Sequence, residues 1–422
     1  MRGQMATYGI ILLYVIPVFI TLVLFEKLYG WYFKKEPFKM MDMISSLSSG
    51  LSNSVKDSLG LVVVILTYGY MVEHWSLIKL KPSIALYLIA FITIDFYGYC
   101  THRLAHSINF FWNKHAIHHS SEEFNLACAL RQPVSQFVNL FTFILLPAAL
   151  LGVPALIVAT VAPIQFFLQF WYHTTYIGKM GFLEKIIVTP SHHRVHHALN
   201  PEYLDKNHGQ IFIFWDKIFG TFQKELLEVP PVYGITRPMR TWNPIKINFI
   251  HLWLMIQDAF HTKNWKNKFT IWFKPTGWRP ADVVNEYPIY KIDDPYHFEK
   301  YNTPASNALI TWICVQLVVT LSFIYYLFGH LADIGKPHIF LYGGFVLLCI
   351  YAYTEVMDRN PQAIWWDILK AVFGWAVLYN LGNWFGLGQT YTIIIAVYLL
   401  ISIAITIYFV RNETTPKVLF SS

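Results

Sequence analysis

The sequence predicts an all-α protein, a polytopic integral membrane bundle of helices with a histidine-rich cap. Three observations predict it. Of 422 residues, 55% are hydrophobic and only 14% charged, whereas soluble domains carry about 25% charged residues. Several apolar runs approach the roughly 20 residues that cross a bilayer as a helix. Finally, eleven of the 17 histidines lie between His102 and His208, in clusters spaced for one face of a helix. The net charge of +7 comes from Lys and Arg crowded into certain loops, which reads as membrane topology and not as a nucleic-acid surface. Cys100, Cys128, Cys314 and Cys349 form no motif and are expected as free thiols.

Taken in order, the first apolar run is residues 8–25. It lacks a strong basic leader and a small-residue cleavage site, so it reads as a retained span. Lys27, Lys34, Lys35 and Lys39 follow and put that loop in the cytoplasm. The Ser/Gly-rich residues 45–58 lead into a short second span, 59–72, which borrows turns from the preceding helix. A third span, 83–100, runs directly into His102. A tight hairpin of two spans, 134–151 and 154–172, turns at Gly152-Val153-Pro154 and brings His173 to the side of the first two clusters.

The chain then stays outside the bilayer for a long stretch. Residues 245–258 form an interfacial helix, with Trp242 and Trp253 as anchors. Residues 265–278 alternate Lys with aromatics and belong at the headgroups. Four spans close the chain, 305–328, 338–353, 363–381 and 389–410, and Arg411 and Lys417 end it on the cytoplasmic side. Counting from the Lys-rich loop sets every histidine cluster on the cytoplasmic face, in a bacterial inner membrane or an endoplasmic reticulum. The expected divisions are 1–80 (N-terminal helices), 81–225 (the histidine-bearing unit), 226–304 (an interfacial segment) and 305–422 (C-terminal spans). For the last block a substrate wall and a homodimer contact are both open.

The clusters are His102-Arg-Leu-Ala-His106, His115-Ala-Ile-His118-His119 and His193-Arg-Val-His196-His197, with His173 alone between the last two. With histidine at about 4% of residues, chance supplies one His-x-x-His-His roughly 0.03 times in such a chain. Neutral imidazole is a common ligand of iron, zinc and copper. The candidate ligands are His102, His106, His115, His118, His119, His173, His193, His196 and His197. Nine are too many for one ion and fit two ions with four or five nitrogens each. An all-imidazole shell disfavours magnesium and calcium, and the lack of thiolates disfavours a structural zinc site. Spacing does not separate iron from zinc. A zinc pair could only hydrolyse, whereas an iron pair could use O2 to attack a C–H bond. A site at the end of a span, beside the headgroups, suits a lipid substrate and so favours oxidation over a di-zinc membrane hydrolase. A transporter is disfavoured by the scarcity of charge within the spans, apart from Asp95 and Asp367.

Other residues carry weaker signals. Asp95 lies seven residues before His102, on the same helix face. A carboxylate within a span is costly, and this one is expected to orient a ligand imidazole, the alternative being a helix–helix hydrogen bond. Glu122 is expected to cap or bond a ligand histidine. Asn125 and Arg131 are expected to position substrate or loop, with an ordinary solvated loop as the alternative. Asp216 reads as a turn fastener, and His192 and His208 lie outside the repeated spacing. Asp95, Glu122 and Asn125 are the candidate catalytic residues beside the metal ligands.

The histidine boxes resemble those of the fatty acid hydroxylase and sterol desaturase superfamily. The run from His118 through Ser120, Glu122, Asn125 and Arg131 to Gln132, the run Thr189 to His197, and Trp215-Asp-Lys-Ile-Phe-Gly-Thr221 are similar to its alkylglycerol monooxygenase branch. So are Val232-Tyr-Gly-Ile-Thr236 and Trp272 to Trp278. The resemblance implies two iron ions and O2-dependent hydroxylation of the carbon beside an ether oxygen in a glycerol lipid, giving an aldehyde and a glycerol. A sterol or fatty-acyl hydroxylase or desaturase is the nearest rival. It also implies a reductant, tetrahydrobiopterin or a separate electron-transfer protein, since no heme or flavin unit is fused. Two positions depart from the branch: Ser107 stands where a glutamate is usual, and His208 where a tyrosine is usual.

Overall fold

A computed structural model describes residues 2–78 and 80–413; Lys417 lies outside them. The chain forms α1 (Arg2–Tyr29), α2 (Met40–Ser58), α3 (Tyr68–Trp75), α4 (Ile84–Ser107) and α5 (Asn109–His119). Next come α6 (Leu146–Leu150), α7 (Ala155–Leu168), α8 (Pro190–His196), α9 (Phe214–Ile218), α10 (Pro244–His261), α11 (Trp265–Thr270) and α12 (Ala281–Glu286). The last are α13 (Asn307–Gly329), α14 (Leu331–Ile334), α15 (His338–Met357), α16 (Ala363–Leu381) and α17 (Gln389–Glu413). The one sheet among the described residues is a parallel pair, Val63–Val64 with Val138–Asn139.

Among the described residues, five helices are long and apolar enough to cross a membrane: Gly9–Lys34, Ile84–Ser107, Asn307–Gly329, His338–Met357 and Gln389–Glu413. The sequence reading expects more, and four of its spans are corrected here. Residues 363–381 form the 19-residue α16, which is not among the five; Asp367 and Lys370 lie within it. Residues 59–72 do not span. Gly60, at φ +66°, ends α2, and the chain runs extended through Val63–Val64 before the short α3. Residues 134–151 are broken into a strand at Val138–Asn139, a 3-10 turn at Phe141–Leu145 and the five-residue α6. The 14 residues of α7 reach only about 21 Å at 1.5 Å per residue, short of a bilayer core. The turn between α6 and α7 is where the sequence puts it. Gly152 has φ +71°, and a Cβ there would sit 1.8 Å from the Ile78 carbonyl oxygen, so only glycine fits.

The Ser/Gly-rich stretch lies in the buried helix α2. Its hydroxyls are satisfied within the protein: Ser48 and Ser52 donate to the carbonyls of Ile44 and Ser48, and Ser45 donates to the Trp242 carbonyl at 2.7 Å. A hydroxyl-rich helix is stable at membrane depth only when surrounded this way. Its apolar side chains Ile44, Leu51, Val55 and Leu59 join one core with α1, α13 and α15 to α17, so helices from both ends of the chain share it. A second core, with Met71, Ala90, Ala148 and Ile157, binds α3, α4, α6 and α7. In the C-terminal block, Lys370 and Asp367 of α16 are in contact, and Ser402 of α17 accepts from Lys370 and donates to Asp367. That pairs two buried charges that would otherwise be costly.

Candidate metal centre

The last turn of α4 carries His102 and His106 on one face. The chain reverses at Ile108, which is extended (φ −124°), and α5 packs back with His115, His118 and His119. Asn109 fixes the corner: its side chain donates to the carbonyls of Ile271 and Trp278 and accepts from the Gly277 amide. The third cluster rides on α8. Thr189 caps that helix, Pro190 opens it, and the His192 ring accepts from the Thr189 amide in a capping box. His192 is thus spent as a cap, and His193, His196 and His197 face inward.

These rings form two groups. His102, His106, His115, His119 and His196 bring one nitrogen each to within 4.8 Å of one another, and so do His118, His173, His193 and His197. Helix geometry explains the sorting. Residues four apart share a face, so His115 and His119 go together, as do His193 and His197; each helix turns 100° per residue, so the neighbouring His118 and His196 point to the opposite group. The groups touch: the His119 and His197 rings stack at 4.3 Å between centroids.

In the four-membered group the Nε2 atoms form a closed ring. The edges are 3.3 Å (His173–His118), 3.1 Å (His118–His197), 3.0 Å (His197–His193) and 2.8 Å (His193–His173). In the other group, His102–His115, His115–His119 and His119–His106 are 2.9, 3.0 and 3.2 Å apart. Two nitrogens bound at right angles to one ion at about 2.1 Å are about 3.0 Å apart. The protonation pattern agrees. Nδ1 of His102, His173 and His196 donates to the carbonyls of His208, Gln169 and Lys206, and Nδ1 of His106 meets the Asp205 carboxylate. A neutral ring protonated at Nδ1 carries a bare lone pair on Nε2. These lone pairs converge, and Nε2 of His196 is buried with no partner at all. Such an array fits a cation. Burial, and then the neighbouring rings, hold His115, His119, His193, His196 and His197 well below the usual imidazole range and His118 at about 3, so they stay neutral.

Three of the four Nδ1 partners come from one loop, 205–208, which the sequence reading did not identify. Asp205 and Asn207 both sit at φ +55°, where Asp and Asn are tolerated better than most residues; Asp-x-Asn before Gly209 was the available signal. The loop is anchored from below. Asp216 accepts from the amides of His208 and Gly209 and from the Thr221 hydroxyl.

Asp95 requires a correction: its carboxylate reaches no histidine. It accepts from the amides of Ile211 and Phe212 and from Nε1 of Trp215, so it pins the segment that follows the loop to α4. Replacing Asp95 with Ala would leave three donors buried without an acceptor, at about 1–3 kcal/mol each. The expected result is a fall in thermal stability together with a fall in bound metal per folded molecule. Unchanged metal content would restrict Asp95 to the fold.

The run after the second cluster is also corrected. Glu122 accepts from the Tyr301 amide, and Asn125 accepts from the Ala127 amide in its own turn; neither bonds a ring of the two groups. Arg131 pairs with the buried Asp42 of α2 at 2.7 Å and also donates to Ser46 and Ser120. This loop therefore docks onto the serine-rich helix. Ser107 donates to the Arg103 carbonyl on the exposed side of α4, away from both groups. The His208 ring lies against His102 and His106 but outside both groups.

A cavity of about 230 Å³ opens beside the five-histidine group. His106, His119 and His196 form one wall, and Trp112, Leu254, Met255 and Trp278 lie among the others.

The "Fatty acid hydroxylase" family model matches residues 87–221. An alkylglycerol monooxygenase of Homo sapiens is 34% identical over 87% of this chain and 82% of its own length. One of Danio rerio is 32% identical over 84% of this chain and 79% of its own. The ornithine lipid hydroxylase OlsE of Rhizobium tropici is 30% identical over 35% of this chain and 45% of its own. No solved structure matches.

Proposed function

Since this chain belongs to the alkylglycerol monooxygenase family, we propose that its two histidine groups hold two iron ions that oxidise the alkyl chain of ether lipids. The enzyme is an oxidoreductase, a membrane lipid monooxygenase acting on ether lipids. The observation that carries the metal assignment is the convergence of nine imidazoles into a five- and a four-membered set.

Bound there, iron supplies the redox chemistry with O2 that zinc lacks. The net change inserts one oxygen atom into the C–H bond beside the ether oxygen. The second oxygen leaves as water, with two electrons and two protons taken from a donor. The resulting hemiacetal falls apart to an aldehyde and a glycerol. That donor is tetrahydrobiopterin or a separate electron-transfer protein. The chain's own part is to hold the imidazoles in one tautomer through the 205–208 loop and to wall the site with apolar side chains.

A cytoplasmic face for the centre is supported by the Lys-rich end of the first span. Tyr176, three residues past His173, donates to Glu36 at 2.6 Å, and Leu126 donates to Glu26 at 2.7 Å. The positive end of that span and the histidine cap thus share a side, which fits a positive-inside orientation.

The test supplies purified, iron-loaded protein with a 1-O-alkylglycerol and a reductant under isotopically labelled O2. The label is expected in the aldehyde. Turnover under argon by protein holding zinc alone would falsify the monooxygenase reading.

A further inference from the structure

The cavity beside the five-histidine group has an unbalanced charge. Its lining includes Arg237, Arg279, Lys291, Asp205 and Asp258. Both acids are already engaged: Asp258 binds Arg279 through both oxygens, at 2.6 and 2.8 Å, and Asp205 faces Nδ1 of His106. Lys291, in no ion pair among the described residues, lies at the exposed rim. Arg237 is the unusual member. Its Nη1 is buried and has no hydrogen-bond acceptor. Arg237 as a whole is half-buried, but a buried N–H without an acceptor is destabilising. Burial and then the Arg279 charge lower its pKa, against the opposing pull of Asp258.

Arginine's planar donors match the oxygens of a phosphate in pairs. The remaining walls are apolar, with Leu254, Met255 and Ile289. At about 230 Å³ the space is below the roughly 300 Å³ where sites for whole drug-sized ligands begin. It has room for a headgroup and the carbons next to it, while the rest of an alkyl chain must lie elsewhere.

We propose that Arg237 is a specificity-determining residue that receives the phosphate of a phosphorylated ether glycerolipid, holding the glycerol end of the substrate in the cavity beside the five-histidine group. This rests on the ether-lipid reading above and adds the headgroup class. A phosphate on Arg237 supplies the missing acceptor and neutralises the surplus positive charge. It also places the glycerol carbons on the wall shared with His106, His119 and His196. A neutral alkylglycerol offers hydroxyls only and leaves the surplus positive charge of the cavity in place.

The test measures binding to the full chain in nanodiscs, without metal and without turnover, by the tryptophan fluorescence to which Trp112 and Trp278 on the cavity wall contribute. The probes are a 1-O-alkylglycerol 3-phosphate, the 1-O-alkylglycerol of the same chain length, and inorganic phosphate as competitor. The wild type is expected to bind the phosphorylated lipid about tenfold or more tightly than the neutral one, the scale of one charge-assisted pair. In Arg237→Gln that ratio collapses toward one, and Arg237→Lys restores part of it. Inorganic phosphate competes with the phosphorylated lipid in the wild type but not in Arg237→Gln. Equal wild-type affinity for the two lipids overturns the proposal without any variant, and so does an unchanged ratio in Arg237→Gln. Competition by phosphate alone, with no preference between the lipids, overturns the lipid assignment in favour of a free anion. If the binding preference holds but neither lipid is oxidised by iron-loaded protein, the fault lies with the monooxygenase reading and not with Arg237.

Discussion

Replacing His118 with alanine is expected to strip metal from the four-histidine group and to abolish turnover. His118 closes that ring, 3.3 Å from His173 and 3.1 Å from His197. Without it, three nitrogens remain and one side of the group is open. Residues that only support a ligand typically cost 10–100-fold when changed, and loss of a ligand should exceed that range. The measurement is metal per protein by elemental analysis, together with turnover of an alkylglycerol. Full metal content with undiminished turnover would remove His118 from the centre.

Removing the metal should expose an equally large effect in the dependence of stability on pH. His118 titrates at about 3 in the folded chain, and His115, His119, His193, His196 and His197 also lie well below the ordinary value, chiefly through burial. In the unfolded chain each titrates near 6.5. Between those values the unfolded state binds more protons, so stability is full above about pH 6.5 and is lost as pH falls toward the folded values. At pH 5.5 each such ring contributes about 1.4 kcal/mol of loss. Several together approach the roughly 5–15 kcal/mol that holds a typical domain. Chelated protein should therefore melt at steadily lower temperature from pH 7 to 5.5, while metal-loaded protein resists over the same interval. A flat melting temperature in the chelated protein would contradict neutral, buried rings.

How legible the molecule is from its sequence differs sharply by region. The nine imidazoles are readable because their spacing repeats the helical period, and that period also governs their geometry. The third span and α13, α15 and α17 are readable because each is long and continuously apolar, which is what hydropathy reports. Helix α2 escapes that reading because protein surrounds it: its serines, bonded to backbone carbonyls within the bundle, lower its hydropathy although the helix is buried. Apolar residues 134–151 mislead in the opposite way. Their hydrophobicity serves the packing of a short, broken hairpin against α3 and α4, and hydropathy alone does not distinguish that from a crossing. The partners of the imidazoles are hardest to see, because three of them are carbonyls, and a carbonyl leaves no trace in residue identity. Asp95 was singled out correctly as unusual, but its work depends on a segment more than a hundred positions away, which Ile211 and Trp215 represent.

The splitting of α5 and α8 between the two groups bears on how the enzyme matures. Each short helix carries adjacent histidines that belong to different groups, so under the two-ion proposal seating one ion would fix the rotation of both helices and finish the second seat. Filling should therefore be cooperative. A preparation given half the metal that fills both groups would then contain fully charged molecules alongside empty ones, with few singly loaded intermediates, and its activity would track total bound metal in direct proportion.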